Sequence, residues 1–557
     1  MDLNDPHKVH TMTGARALVD ALLREGVDHV FGIPGTQNLA VLDALRDTPQ
    51  IRFILTRHEQ GAAFMAYGFA RGTGRPAIVT ATEGPGVTNL VTAIAAAHKG
   101  NVPVISICGV QESMMRERDA TQDMDQVPFM RPITKWAYSI PNAEKVQESV
   151  RRAFRVALTE PQGPAHIEAS SEILLEKVAP EAIAPAAYRN TALPACDPAQ
   201  LDEVAALLAR AERPVFVVGR GVLKEGATGA MAKLAEAAGV PVAALQYSPD
   251  AFPWAHPLAL GPLGRNGAGS ANRLVPKADL VVAIGAHFDY FSTLYKYGIF
   301  GATAKLVHHS VAPGQIGIVF PVTLGVTGST ASFIAGLAAR VKSPRKPWAD
   351  VAKARADWEA ELEHALKPDA APIQSQFVAH TIRKVLPPNG ILVSDAGNGA
   401  KHVRSYYRTF EPGTFMCIDD WASVGGSLPI ALGAKLAQPS RPVLCASGDM
   451  GALCNIGELE TAMREKIPVV YVVFNDQGLG NERAFQNEHF GGRFFAVDYQ
   501  NPDLGALAKV FGCHGEHVTK PGELEGAIRR ALDSGKPALV DVMIDQKTLA
   551  PVVFKPE

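Results

Sequence analysis

Short apolar runs recur along the chain, and each is followed by a longer segment with the apolar spacing of a helix. The first helical segment covers residues 13–26, with Thr13 as its predicted N-cap. Repeated alternation of strand and helix is the pattern of a parallel sheet with helices on both faces. The pattern therefore predicts a doubly wound α/β sheet, whose first strands are residues 27–32, 51–55, 76–80 and 102–107.

The same alternation begins twice more. Residues 176–198 are rich in Ala and Pro, which is a linker composition, and residues 343–372 are charged and then contain Pro. A length of 557 residues also favours about three domains. We therefore predict an α/β protein of three doubly wound parallel-sheet domains, at residues 1–178, 196–342 and 372–557.

Two carboxylates end neighbouring strands of the predicted third domain. An apolar run at 443–446 leads to Gly448-Asp449, a helix is predicted over 451–465, and a run at 467–474 leads to Asn475-Asp476. Ligands of open parallel sheets bind at the carboxyl ends of the strands, and hard divalent cations prefer oxygen ligands. The alternative is an ordinary crossover whose acids are solvated turn residues.

Composition narrows the function classes. With 47% hydrophobic and 20% charged residues the chain reads as globular, and its net charge of −2 does not favour nucleic acid or an anionic membrane as partner. We predict a cytoplasmic protein, since the N-terminus lacks a signal-peptide pattern and no apolar run approaches a membrane span. The six cysteines have no CxxC spacing, which argues against a zinc site or a disulfide framework.

Several motifs together resemble one family. They are Arg57-His58-Glu59 after an early strand, the glycine-rich loop from Gly84 to Asn89, and the two acids Asp449 and Asp476, which lie 27 residues apart. This combination resembles the thiamine-diphosphate-dependent enzymes of the acetolactate synthase, 2-oxoacid decarboxylase and benzaldehyde lyase type. The resemblance covers almost the whole chain. It implies a pyrimidine-binding first domain, a Rossmann-like middle domain and a diphosphate-binding third domain.

The resemblance implies a set of metal and cofactor contacts. Asp449, Asp476 and the carbonyl of Gly478 would hold Mg²⁺; Asp476 rather than Asn475 is chosen because it lies four residues before Gly480. Val424 would prop the cofactor in a bent shape and the carbonyl of Ala422 would accept from its amino group, although Val424 could instead be a core residue. The expected cofactor-binding residues are Gly35, Glu59, Gly84, Asn89, Gly397, Asn398, Gly399, Ala422, Val424, Gly448, Met450, Gly451, Leu479 and Gly480.

Four residues are candidates for catalysis. By resemblance, Glu59 in an apolar pocket would share a proton with the cofactor pyrimidine, since burial disfavours a charged carboxylate; alternatively it caps the helix that follows. Gln122 would face the reaction centre, or it is a simple loop amide. Asn481 and Glu482 stand where acetolactate synthases carry apolar residues, so they would set substrate selectivity; the alternative is a solvated helix start.

The implied activity is decarboxylation of a 2-oxoacid with carboligation to a second carbonyl compound, as in acetolactate synthase. Alternatives are a non-ligating decarboxylase, a lyase for 2-hydroxyketones or 2-hydroxyacyl thioesters, an FAD-dependent oxidase and a non-catalytic relative. Thiamine diphosphate and Mg²⁺ are the expected cofactors; FAD is possible but not favoured, because the middle domain lacks the acid that often contacts a nucleotide ribose. The family further implies a homodimer or homotetramer with active sites at the subunit interface.

Overall fold

The structure is a computed structural model that describes residues 11–341, 345–418 and 421–550. The described chain divides into two compact units. The first extends to Thr191 and also includes Leu432–Gln438 and Glu460–Glu465. The second comprises Ala192–Ala431, Pro439–Leu459 and the chain from Lys466.

The first unit contains one parallel sheet of six strands, in the order β3-β2-β4-β5-β7-β6, and a short antiparallel pair formed by β1 and β8. Thr13 caps the first helix as predicted, since its hydroxyl accepts from the backbone N–H of Arg16. The strands are β1 (Met12–Thr13), β2 (His29–Gly32), β3 (Arg52–Leu55), β4 (Ala77–Ala81), β5 (Val104–Val110), β6 (Trp136–Ser139), β7 (Ala165–Ser170) and β8 (Lys177–Val178). The helices are α1 (Gly14–Arg24), α2 (Leu39–Arg46), α3 (Glu59–Thr73), α4 (Pro85–Lys99), α5 (Gln126–Met130), α6 (Val146–Leu158) and α7 (Ser171–Leu175).

The second unit begins with a six-stranded parallel sheet in the order β11-β10-β9-β12-β13-β14. The strands are β9 (Pro214–Val218), β10 (Val242–Leu245), β11 (Ala259–Leu263), β12 (Leu280–Ile284), β13 (Lys305–Ser310) and β14 (Leu324–Thr327). The helices are α8 (Pro198–Arg210), α9 (Arg220–Lys224), α10 (Thr228–Ala238), α11 (Gly269–Leu274), α12 (Tyr290–Thr293) and α13 (Thr330–Ala338).

A third parallel sheet follows, in the order β16-β15-β17-β18-β20-β19. Its strands are β15 (Ile391–Ser394), β16 (Phe415–Cys417), β17 (Val443–Gly448), β18 (Val470–Asn475), β19 (His514–Val518) and β20 (Ala538–Met543). The helices are α14 (Val351–Ala365), α15 (Ser375–Val385), α16 (Asn398–Tyr406), α17 (Ser427–Ala437), α18 (Asp449–Cys454), α19 (Glu458–Arg464), α20 (Gly480–Phe490), α21 (Leu504–Val510) and α22 (Pro521–Asp533).

The first and third sheets have the same topology. Counted within each sheet, both strand orders are 2-1-3-4-6-5, whereas the middle sheet has the 3-2-1-4-5-6 order of a Rossmann fold. The predicted fold of three doubly wound parallel sheets is confirmed. In the second unit, one continuous apolar core packs between the middle and third sheets.

Two predicted boundaries in the third sheet are wrong. The helix predicted over 451–465 is two helices, α18 and α19, because the chain leaves helical geometry at Asn455, whose side-chain amide donates to the carbonyl of Gly425. The strand predicted from 467 starts at Val470, since Pro468 has no N–H for a ladder.

Among the described residues, no helix is both long and apolar enough to cross a membrane.

Candidate active site

A cavity of about 170 Å³ opens at the carboxyl ends of β15, β17 and β18. The strand order has a switch point between β15 and β17, because β16 is added on one side of β15 and β17 on the other. Open α/β sheets bind ligands at such switch points. The lining includes residues from the loops after all three strands, from the start of α16 and α20, and from two aromatic residues of the middle sheet's connections, Tyr247 and Phe291.

Asp449 and Asp476 both line this cavity. Asp449 starts α18 directly after β17 and is 1% exposed. Burial raises the pKa of Asp449 above its ordinary value, and burial followed by the charge of Asp449 raises the pKa of Asp476 to about 7. Two desolvated carboxylates that repel each other form a donor set suited to a divalent cation.

Tyr499 and Asn501 hold the carboxylate of Asp449 in place. The Tyr499 hydroxyl lies 3.0 Å from Asp449 Oδ1 and 3.0 Å from the carbonyl oxygen of Gly478, and Asn501 Nδ2 donates to Asp449 Oδ2 at 2.6 Å. The segment containing Tyr499 is fixed by backbone pairing, because Leu479 N donates to Val497 O and Tyr499 N donates to Gln477 O. The carbonyl of Gly478 and a carboxylate of Asp449 therefore share one hydroxyl partner.

Asn475 and Asp476 are adjacent but have different surroundings. Asn475 is buried, and its amide donates to Asp541 Oδ1 at 2.9 Å, while its own Oδ1 accepts from Asn501. Asp476, by contrast, lines the cavity. Alternation along the end of a strand explains this difference, since successive side chains point to opposite faces.

Asp395 organises the loop that carries Ala422 and Val424. It follows β15 and is buried, and it accepts hydrogen bonds from the hydroxyls of Ser427 at 2.6 Å and Ser447 at 3.0 Å and from the backbone of Gly425. Ala422 has a φ of +52°, a strained value for a residue with a Cβ. Val424 lines the cavity and is 44% exposed, so the alternative of a core valine is wrong.

Several glycines line the cavity, and their lack of a side chain leaves space in it. An added Cβ at Gly397 or Gly448 would meet no heavy atom within 4 Å, so both positions border open space. A Cβ at Gly451 would lie 2.4 Å from Ser447 Oγ, and one at Gly480 would lie 2.4 Å from Asp476 Oδ2. Backbone N–H groups at such positions, at the starts of α16, α18 and α20, are suited to phosphate oxygens.

The other predicted residues of the third domain also line the cavity: Asn398, Gly399, Met450, Leu479, Asn481 and Glu482. The side chain of Asn398 binds the chain near the C-terminus, donating to Thr548 O and accepting from Ala550 N. Asn481 donates to Glu482 Oε1 at 2.9 Å in the first turn of α20, where Glu482 is exposed.

Five predicted residues lie in the first unit: Gly35, Glu59, Gly84, Asn89 and Gln122. Glu59 begins α3 and is half-buried, so the expected burial in an apolar pocket is not seen within this chain. Its Oε2 accepts from Asn89 Nδ2 at 2.9 Å, and the helix cap is His58 instead, whose ring accepts from Gln60 N. Gly84 precedes α4, and the exposed Gln122, with a φ of +70°, packs its backbone against it.

Gly35 lies in the loop after β2. A Cβ there would lie 2.3 Å from Thr82 Cβ, so this loop packs closely against the loop after β4. The side chains of the same two loops also meet, because Thr82 Oγ1 donates to Gln37 Oε1 at 2.5 Å. Within the first unit, Gly35 therefore serves close packing between loops.

Comparisons with known proteins identify the class. The N-terminal TPP binding domain of thiamine pyrophosphate enzymes matches residues 12–129, their central domain matches residues 201–337, and their C-terminal TPP binding domain matches residues 395–542. The chain belongs to the thiamine pyrophosphate enzyme family. It is a thiamine-diphosphate-dependent enzyme that forms or cleaves carbon–carbon bonds, and the resemblance seen in the sequence is confirmed.

Relatives are similar over nearly their full length. The probable acetolactate synthase large subunit of Methanocaldococcus jannaschii is 33% identical, over 97% of this chain and 93% of the relative. The acetolactate synthase isozyme 1 large subunit of Escherichia coli is 32% identical, over 96% and 94%. The sulfoacetaldehyde acetyltransferase of Alcaligenes xylosoxydans is 30% identical, over 96% and 93%. These similarities support a carboligase or decarboxylase.

Proposed function

We propose that this enzyme decarboxylates a 2-oxoacid and joins the remaining fragment to a second carbonyl compound, with thiamine diphosphate and Mg²⁺ as cofactors. The observation that carries the proposal is the pairing of Asp449 and Asp476 in one cavity, beside the carbonyl of Gly478. The similarity to acetolactate synthase large subunits over almost the whole chain supports the carboligation step.

The residues present fit both cofactors. Mg²⁺ prefers oxygen ligands and commonly also binds phosphate oxygens, and Asp449, Asp476 and Gly478 offer two carboxylates and one carbonyl. A divalent cation would relieve the repulsion that raises the pKa of Asp476. The open space at Gly397 and Gly448 leaves room for a diphosphate beside these ligands.

When bound, thiamine diphosphate would supply a carbanion for attack on the keto carbon and an electron sink for the electron pair that remains when CO₂ departs. The chain's own contribution is to position these groups and to move protons. Val424 and Ala422 would shape the cofactor from the loop that Asp395 holds. Glu59, oriented by Asn89, would hold the proton exchanged with the pyrimidine ring.

The test is product analysis with ¹³C-labelled pyruvate, thiamine diphosphate and Mg²⁺, followed by NMR. We expect a labelled 2-hydroxy-3-oxo acid when the acceptor is a second pyruvate or an added 2-oxoacid, and a labelled 2-hydroxyketone when the acceptor is an added aldehyde. Release of labelled acetaldehyde alone would contradict carboligation. A parallel incubation with phenylglyoxylate separates a simple decarboxylase from a lyase.

A non-ligating decarboxylase is the second candidate, because Glu482 brings an exposed carboxyl group to the cavity wall, held by Asn481. A carboxyl group there could protonate the reacting carbon, which would end the reaction with an aldehyde. Replacing Glu482 with Gln distinguishes the two candidates. If Glu482 is such an acid, aldehyde release falls and the share of ligated product rises; in a carboligase the product ratio stays the same.

We also propose that the enzyme works as a homodimer or homotetramer with active sites at the subunit interface, as its family resemblance implies. The test is subunit complementation between Glu59→Gln chains, expected to retain about one hundredth of the activity, and Asp449→Ala chains, expected to retain less. Mixing after mild dissociation should restore part of the activity. Mixed oligomers that are no more active than the two parent variants would count against sites built from two chains.

A further inference from the structure

Two basic side chains of α16 line the same cavity as the acidic pair. Lys401 and Arg404 are three residues apart, so they lie on one face of the helix. Lys401 is 9% exposed, and Arg404 Nε is buried without a hydrogen-bond partner. Over residues 11–341, 345–418 and 421–550, neither side chain forms a salt bridge.

Aromatic rings and other charges surround these cations. Lys401 Nζ lies 5.0 Å from the ring centre of Phe485, and Arg404 Cζ lies 5.1 Å from that of Tyr247 and 5.6 Å from that of Phe291. A third cation, Arg265, stacks on Phe485 at 5.6 Å and forms a salt bridge with Glu488 at 3.2 Å. The buried carboxylate of Asp289 also lies within electrostatic reach of Arg404, because the charge of Arg404 opposes the rise that burial causes in the pKa of Asp289, but within the described chain these two side chains form no salt bridge. Aromatic faces stabilise a cation only partly, so a bound anion would further stabilise Lys401 and Arg404.

Electrostatics agree with this geometry. Burial, followed by the charges of Arg265 and Arg404, lowers the pKa of Lys401 to about 8, and the charges of Glu482 and Glu488 oppose the shift only in part. An anion bound between Lys401 and Arg404 would favour the charged lysine. A negatively charged ligand would therefore raise the pKa of Lys401 and keep its side chain protonated.

The diphosphate of the cofactor is not the best occupant. The predicted phosphate contacts lie at the start of α16, at Asn398 and Gly399, whereas Lys401 and Arg404 lie about 4.5 and 9 Å farther along the helix axis. A carboxylate that leaves as CO₂ is also a poor occupant, because binding its negative charge would stabilise the ground state and oppose decarboxylation. An anionic group that is retained in the product has neither disadvantage.

We propose that Lys401 and Arg404 form an anion-binding subsite for the acceptor, which is therefore a carbonyl compound bearing a carboxylate or a sulfonate group. This rests on the proposed carboligation, and it names the substrate class of the same cavity. The acceptor's anionic group binds the two cations while its carbonyl carbon remains free to receive the new carbon–carbon bond.

The first test measures binding without turnover. Ligand-observed NMR on enzyme loaded with thiamine diphosphate and Mg²⁺ would compare propionate, ethanesulfonate and the uncharged propionamide. We expect both anions to bind and the amide not to bind, and the tighter anion indicates whether the acceptor is a carboxylate or a sulfonate. Lys401→Met and Arg404→Met should each weaken anion binding roughly tenfold. The control is Lys353→Met, on an exposed part of α14, which should bind as wild type.

The pH dependence provides a sharper readout. Wild-type affinity for the anions should fall as pH rises through about 8, because Lys401 loses its proton there. Lys401→Arg keeps the charge at all these pH values. Its anion binding should therefore be retained and should no longer fall near pH 8.

The second test uses turnover with competing acceptors, 2-oxobutyrate against its methyl ester and sulfoacetaldehyde against its methyl sulfone analogue. The preference for the anionic member should fall roughly tenfold in Lys401→Met. Unchanged anion binding in the variants, or a tenfold loss of thiamine diphosphate affinity, would overturn the inference. An enzyme that shows the Lys401-dependent anion binding but forms no ligated product would contradict the proposed function, while the anion-binding subsite would stand.

Discussion

The first and third sheets share one strand order but use it differently. In the first sheet the loops after β2 and β4 are packed together, since a Cβ at Gly35 would lie 2.3 Å from Thr82 Cβ. In the third sheet the corresponding loops, after β15 and β17, touch only next to the strands, where Ser447 donates to Asp395, and positions Gly397 and Gly448 border open space. The same topological switch point is therefore closed in one sheet and open in the other.

This difference shows that topology provides only the location of a site. Whether a ligand can enter depends on the few residues that follow each strand. After the third sheet's strands come glycines and the acids Asp449 and Asp476, which can bind a metal and a diphosphate. The first sheet instead presents Glu59 and its partner Asn89, where two helices begin, and this pair is suited to proton transfer.

The largest effect is expected at the open switch point. Asp449→Ala removes a buried carboxylate that we assign as a ligand of Mg²⁺. A catalytic metal typically stabilises the charge of the transition state by several kcal/mol. Activity should fall roughly 10³–10⁴-fold and thiamine diphosphate should no longer bind tightly. Calorimetric titration of the cofactor in the presence of Mg²⁺ checks this. Wild-type affinity in the variant would mean that the comparison between the sheets is mistaken.

At the closed switch point, Glu59→Gln should have a smaller effect of a different kind. The amide keeps the shape of the side chain but cannot exchange a proton, so turnover should fall roughly hundredfold. Cofactor affinity should stay within about twofold, because we assign diphosphate and metal binding to the third sheet. If cofactor affinity falls in parallel with activity, Glu59 acts in binding rather than in chemistry.

The positions of Asp449 and Asp476 could be predicted from the sequence pattern because both acids follow apolar runs, whereas the role of Glu59 could be predicted only from the family resemblance. Strand ends are local features, and the glycines beside them mark turns. Tyr499 and Asn501 could not be found in this way. They reach Asp449 because residues 497–499 pair with residues 477–479, and that long-range pairing has no local pattern. Asp395 was missed for a similar reason, since its partners Ser427 and Ser447 are distant in sequence.

Removing one of these unpredicted partners should have an intermediate effect. Tyr499→Phe removes the hydroxyl that lies within hydrogen-bond distance of both Asp449 and the Gly478 carbonyl. Loss of a hydrogen-bond partner that orients a metal ligand typically lowers metal affinity 10–100-fold. The Mg²⁺ concentration for half-maximal cofactor binding should rise by that factor. Tyr290→Phe, at an exposed position, is the matched control. If both variants need the same Mg²⁺ concentration for half-maximal cofactor binding, Tyr499 does not support the metal ligands.

The smallest effects come from a matched pair of glycines. Gly35→Ala forces a Cβ against Thr82 and should lower the free energy of unfolding by roughly 1–3 kcal/mol. Gly448→Ala has room for its Cβ and a φ of −72°, so its stability should change by less than about 0.5 kcal/mol while cofactor affinity falls. Urea denaturation and cofactor titration of both variants check this. If Gly448→Ala loses stability while Gly35→Ala keeps its stability and loses cofactor affinity, the open cleft lies in the first sheet.

The most direct measurement is a crystal structure with thiamine diphosphate and Mn²⁺, using anomalous scattering to locate the metal. We expect one ion bound by carboxylate oxygens of Asp449 and Asp476 and by the carbonyl oxygen of Gly478, in contact with the diphosphate. The described chain offers another group of possible ligands, Asp503, His517 and Asp541. An ion at that group, with the cavity beside Asp449 and Asp476 free of metal, would contradict the account.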